Sequence, residues 1–147
     1  MKILNIVYLA IFLIACNAPE ARESDGQNND VTISEGKTKE IVSHHLEAFK
    51  NNDLEEIMKD YTEESVFIAP DATYTGLEQI RTSYENVFKA FPKDSMTFTL
   101  EKTVVAQDVG YILWKAKTPA VTVSYGTDTF IIRDGKIIRQ TFAGVFE

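Results

Sequence analysis

The chain predicts an α+β domain in which three helices come first and an antiparallel sheet follows. Three observations carry this. Between residues 35 and 91 apolar side chains recur at helical spacing, and from Ser95 onward they alternate with a period of two. The stretch from His45 to Pro70, HLEAFKNNDLEEIMKDYTEESVFIAP, reads as helix end, turn, second helix and first strand without a break. At 147 residues, 44% hydrophobic and 25% charged, the chain has the size and composition of one domain with a real core.

The first helix opens where Thr32 and Glu35 are spaced as a capping box, a hydroxyl and a carboxylate exchanging bonds with orphan backbone amides. Ile41, Val42, Leu46 and Phe49 make its apolar face, and His45 lies on that face, four residues from both Ile41 and Phe49. His44 is turned away by about a hundred degrees and should meet water or the rim. Asn51 and Asn52 end the helix. Asp53 with Glu56 caps the second one, whose stripe is Leu54, Ile57, Met58 and Tyr61. After the polar turn Glu63-Glu64-Ser65, the run Val66 to Ala69 is a strand closed by Pro70. The third helix begins at Thr75 or Gly76, carries Ile80, Tyr84, Val87, Phe88 and Phe91, and is stopped by Pro92.

The sheet is expected from Met96 to Val105, Tyr111 to Lys117, Ala120 to Tyr125, Thr127 to Arg133 and Lys136 to Phe146. Gln107 to Gly110 makes one connection, Gly126 a bend or bulge, and Asp134-Gly135 the strongest turn signal in the chain.

Ahead of the domain, Met1-Lys2 leads an apolar run from Ile3 to Ala15 broken only by Asn5, the length of a signal-peptide core and short for a bilayer crossing. It ends Leu13-Ile14-Ala15-Cys16, which looks like a bacterial lipobox, so Cys16 is the expected lipidation site and the bacterial cell envelope the expected location. Cys16 is the only cysteine, which excludes a disulfide within the chain. Residues 17 to 30, NAPEARESDGQNND, hold no aliphatic side chain larger than Ala and cannot offset the entropy of ordering. The expected division is a signal peptide over 1–15, an acylated cysteine and flexible linker over 16–33, and the folded domain over 34–147.

A formal charge of −7 repels phosphate backbones, so nucleic acid is not an expected partner. Two adjacent histidines point apart on a helix and give no zinc spacing, and no metal site is expected. No Gly-x-Ser-x-Gly elbow, Walker loop or dinucleotide fingerprint occurs, so no cofactor is implied.

The stretch from His45 to Pro70 resembles the opening of the SnoaL-like and ketosteroid-isomerase-like branch of the nuclear transport factor 2-like superfamily. The resemblance continues in Tyr74-Thr75-Gly76-Leu77-Glu78-Gln79-Ile80-Arg81, similar to that superfamily's Gly-x-x-x-Ile-Arg helix start. It extends to Asp128-Thr129-Phe130 through Arg133-Asp134-Gly135-Lys136-Ile137, similar to its penultimate hairpin. It spans roughly residues 35 to 147. It implies a strongly curved sheet that wraps the helices into a cone with a pocket at its open end, small-molecule ligands without a cofactor, and a homodimer formed through the sheet's open face.

Carried over position by position, the resemblance puts the isomerase's general-base Asp on Ala69, its oxyanion-hole Tyr on His45 and its neutral Asp on Asp128. Alanine takes no proton, so that isomerisation mechanism is not expected. An imidazole with a carboxylate partner is nevertheless a common acid/base arrangement, which makes His45 and Asp128 the candidate catalytic pair. Asp128 shares strand parity with Phe130 and Ile132 and should point inward with them. Tyr61, Phe67, Tyr84, Trp114, Tyr125 and Phe130, with Phe88, are the aromatic residues that could line a pocket. Three functions follow: an envelope-anchored binder of a small apolar or amphipathic molecule; an isomerase, cyclase or dehydratase-like enzyme using His45 and Asp128; or a dimeric protein-interaction module.

Overall fold

A computed structural model describes residues 34–147. The signal peptide over 1–15, the lipidation of Cys16, the linker over 16–33 and the Thr32 cap lie outside the described residues. Helix α1 (Glu35–Lys50) starts on Ser34, whose hydroxyl accepts the Lys37 amide at 3.3 Å. At its far end Asn52 takes a left-handed conformation, φ 52°. Its side chain donates to the Phe91 carbonyl at 3.0 Å and accepts the Lys93 amide at 2.6 Å, tying the exit of α1 to the exit of the third helix. Helix α2 (Leu54–Met58) is capped as expected by Asp53, which accepts the Glu56 amide at 3.0 Å. It is one turn shorter than its apolar stripe: Tyr61 is buried but lies beyond the helix.

Strand β1 (Val66–Ile68) turns back at once into β2 (Thr73–Thr75), closed by the Ala69 amide on the Ala72 carbonyl at 2.8 Å. Gly76, at φ 78°, then swings the chain into α3 (Gly76–Ala90), and Phe91 and Pro92 end it. Strands β3 (Thr97–Ala106), β4 (Val109–Lys117), β5 (Thr122–Arg133) and β6 (Lys136–Phe146) form an antiparallel meander, and the sheet order is β2-β1-β6-β5-β4-β3.

Two expectations need correction. The sheet is not wholly antiparallel, because β1 pairs with β6 in parallel, Phe67 opposite Gln140. The direction of β6 is set by its hairpin with β5, and β1 reaches the other edge of β6 from α2, so no hairpin between the two dictates their relative sense. Nor do the two runs on either side of Gly126 form separate strands: β5 is continuous. Gly126 faces the Trp114 indole, where a Cβ would come within 2.7 Å of the ring. Its small size serves close approach rather than a bend.

The register slips at neighbouring places in three strands: between Leu100 and Lys102, between Trp114 and Ala116, and between Val123 and Tyr125. Each extra residue bends and twists its strand, and their clustering curves the sheet around the helices. Val42, Ile57, Ile80, Ile112, Phe130 and Ile137 are fully buried where helices meet the concave face. The result is a mixed α+β cone of three helices packed on a curved six-stranded sheet.

Candidate functional site

The concave face is only partly filled. Between α1, α3 and the sheet lies a cavity of about 440 Å³, within the range of small-molecule sites. Pro70, Asp71, Asn86 and Phe146, all solvent-exposed, stand at its mouth; His45, Tyr84, Asp128, Phe130 and Gln140, all buried, form its floor. Much of the wall between them is aromatic. Phe98 stacks on Trp114 and Trp114 on Phe142, with ring centres 5.4 and 5.7 Å apart.

The floor is a continuous polar chain. His45 is 3% exposed and Asp60 2%. Asp60 follows α2, is pinned by its carbonyl to the Ile137 amide of β6 at 2.7 Å, and divides its carboxylate between two imidazoles. His44 Nδ1 is 2.7 Å from one oxygen and His45 Nδ1 is 3.2 Å from the other. Because a carboxylate only accepts, His45 carries its proton on Nδ1, and its Nε2 meets the Tyr84 hydroxyl at 3.1 Å. The Tyr84 hydroxyl gives its one hydrogen to that Nε2 and lies 2.8 Å from the Tyr61 hydroxyl, and Tyr61 donates to Gln140 Oε1, which Tyr84 also approaches at 3.2 Å. With its oxygen so occupied, Gln140 turns its amide nitrogen to Asp128 Oδ1 at 2.8 Å, and the Trp114 indole N–H takes Asp128 Oδ2 at 2.7 Å. Among the described residues no buried side-chain polar atom lacks a partner.

Burial shapes the proton affinities. Desolvation pushes Asp128 above the usual carboxylate range, opposed by the Gln140 and Trp114 hydrogen bonds. It likewise raises Tyr61 and Tyr84 well above an ordinary phenol, so both remain neutral donors at physiological pH.

The residues singled out in the sequence fall as follows. His45 and Asp128 both reach the cavity floor but do not touch: Asp60 partners His45, and Tyr84 and Gln140 stand between the supposed pair. Phe67, Tyr84, Trp114 and Phe130 line the cavity, and so does Ala69, at the position of the isomerase base. Tyr61 is buried behind the floor and supports it without lining the cavity. Tyr125 is a correction: it is 47% exposed, because in the continuous β5 it stands three residues from the inward Asp128 and alternation puts it on the outer face of the sheet. Phe88 packs against Phe49 and Tyr84 outside the lining. Asp60 and Gln140 were not anticipated. Among the described residues no group of three His, Cys, Asp or Glu side chains is placed to hold a metal ion, and no helix is long and apolar enough to cross a membrane.

The profile of the SnoaL-like domain family matches residues 42–140, from within α1 to the floor residue Gln140. Solved structures of the same shape include an NTF2-like protein of unknown function from Mesorhizobium loti, 22% identical at a TM-score of 0.65, covering 76% of this chain and 93% of its own. A candidate polyketide cyclase from Sinorhizobium meliloti is 20% identical at 0.63, covering 75% and 99%. A candidate ketosteroid isomerase from Kribbella flavida is 13% identical at 0.64, covering 75% and 78%. At such identities the likeness is one of fold. No curated protein sequence matches the chain.

Proposed function

Because the chain belongs to the SnoaL-like domain family, we propose that it is an envelope-anchored protein that takes a small apolar or amphipathic molecule into its cone. The observation that supports this most is the cavity itself: about 440 Å³ left open behind an aromatic wall, with every buried polar group of the floor already hydrogen-bonded. Filling it with apolar atoms removes surface from water at about 25 cal/mol per Å² without stranding a polar partner. Two structures of like fold are named for a polyketide cyclase and a ketosteroid isomerase, which agrees with a small organic ligand. The test is native mass spectrometry of the full-length protein purified from envelopes. A bound small molecule that dissociates on unfolding is expected, and a protein that always carries nothing and admits no apolar probe sinks the reading. The anchor has its own measurement. Wild-type protein should partition with membranes and Cys16→Ser should not.

A second reading, acid/base catalysis of the isomerase, cyclase or dehydratase kind, is favoured by one observation. Asp60, His45 and Tyr84 form a hydrogen-bonded series that ends on the cavity. With Ala69 at the base position, proton transfer falls to His45 and Tyr84, and His45→Ala that leaves turnover of a demonstrated substrate intact removes it. A homodimer through the outer sheet face is the accompanying proposal. Val104, Tyr125 and Val145 are exposed on that side, and sedimentation of the full-length protein over a concentration series reads the assembly.

A further inference from the structure

We infer that the cone selects amphipathic cations, an ammonium group on an apolar body, with the ammonium seated against Asp128. The inference rests on the reading of the cavity as a small-molecule site and specifies what that site prefers.

The donors around Asp128 come first. Its two oxygens accept from the Trp114 indole and the Gln140 amide, groups that have hydrogens to give and no lone pair on the contacting nitrogen to accept one. The amide cannot turn round to help, because its oxygen accepts from Tyr61. A proton on Asp128 therefore has no acceptor among these neighbours, and the carboxylate is the form they are arranged to receive. Each oxygen keeps further acceptor capacity, and the group lines the cavity at 7% exposure.

Among the described residues lining the cavity the only basic side chain is His45. There is no Lys or Arg among them, and the second carboxylate, Asp71, stands at the mouth. The His45 imidazole has Asp60 on one nitrogen and Tyr84 on the other. An anionic ligand would enter past Asp71 and end against Asp128 with no cation to receive it, whereas an ammonium gains from both. The residues beside Asp128 add to this. Phe98, Trp114 and Phe142 form a stacked row, Phe142 lying opposite Asp128 in the β5–β6 register. Aromatic faces attract a cation through their quadrupole and the rest of the ligand through apolar contact. Burial also raises the proton affinity of Asp128, and an ammonium beside it would relieve that penalty.

The chain supplies its own reporter, since its one tryptophan, Trp114, is both a cavity wall and a partner of Asp128. Tryptophan emission of the full-length protein should be titrated at neutral pH with phenylbutylamine, phenylbutanol and phenylbutyrate, which share one apolar body and differ in head-group charge. The amine is expected to bind about tenfold more tightly than the alcohol or better, and the carboxylate more weakly than both. If the alcohol or the carboxylate equals the amine, the preference for cations is overturned while the small-molecule reading stands. If none of the three binds, both fall. Asp128→Asn should bring the amine-to-alcohol ratio close to one, and a preference kept at about tenfold would take the ammonium away from Asp128. If that variant does not fold, the probe series on the unaltered protein decides alone. Asp71→Asn should keep the order of the three probes, and its loss would move the discriminating charge to the mouth.

Discussion

The indole N–H of Trp114 reaches from β4 to Asp128 on β5 at 2.7 Å, so the largest side chain on the concave face also answers its buried charge. Trp114→Phe would keep most of the stacking on Phe98 and Phe142 and strip the carboxylate of one of its two donors. A loss of about 1–3 kcal/mol is expected, read by urea unfolding followed by circular dichroism. An unchanged midpoint and slope would show that the bond contributes nothing net.

Gln140→Glu changes one atom's chemistry at the centre of the floor. The new carboxylate would stand at hydrogen-bond distance from Asp128, where Gln140 Nε2 now lies at 2.8 Å, and two carboxylates that close cannot both ionise without strong repulsion. The variant should be much less stable than wild type at neutral pH and recover part of the difference on acidification, as the pair takes up a shared proton. Unfolding curves at pH 7 and pH 5 check this, and a penalty that grows at the lower pH would contradict it.

His44 couples surface charge to the buried Asp60. Burial by itself pulls its pKa down, but the hydrogen bonds and charges of Asp60 and then Glu56 outweigh that and lift it above the ordinary 6.5. A pKa raised in the folded state stabilises fully below pH 6.5, and the benefit is lost as pH rises through the folded value. The stability difference between wild type and His44→Gln should therefore be largest below pH 6.5 and shrink above it. With 39% of the imidazole side chain in solvent, the effect should also weaken with added salt. A difference that widens with pH would reverse the sign of the coupling.

Gly126→Ala tests the packing that the continuous β5 requires. The added methyl would press on the Trp114 indole at 2.7–2.9 Å, and that ring is held by Phe98 and Phe142. A cost of about 1–3 kcal/mol is expected, together with a shift of the tryptophan emission maximum. A neutral substitution would mean that the sheet yields there without resistance.

Much of the fold was legible in the residues. Asp53 with Glu56, the apolar stripes of α1 and α3, Pro92 and Asp134-Gly135 each state a local preference that the tertiary structure keeps. The parallel pairing of β1 with β6 was not, since three residues carry no record of a partner seventy positions away. The site was legible in part. Parity placed Asp128 inward, but Asp60 sits in a polar run that reads as a solvated turn, three residues after Ile57 and just beyond the helix whose stripe it flanks. Gln140 shares parity with Phe142, which could have found it. The irregularity between Ile131 and Ile132 buries Ile137 instead of Ile138 and breaks the alternation leading up to it. Tyr125 points outward because β5 runs on through Gly126, which puts it on the opposite parity to Asp128.

The slip between Leu100 and Lys102 falls on β3, the last strand of the sheet, whose outer row of amides and carbonyls has no neighbour among the described residues. A straight, apolar border of that length would invite another chain to add itself, strand upon strand, into a fibril. Here the border is kinked midway, and Glu101 and Lys102 stand at the kink. The irregularity that helps hollow the cone thus also keeps its rim from becoming a seed for aggregation.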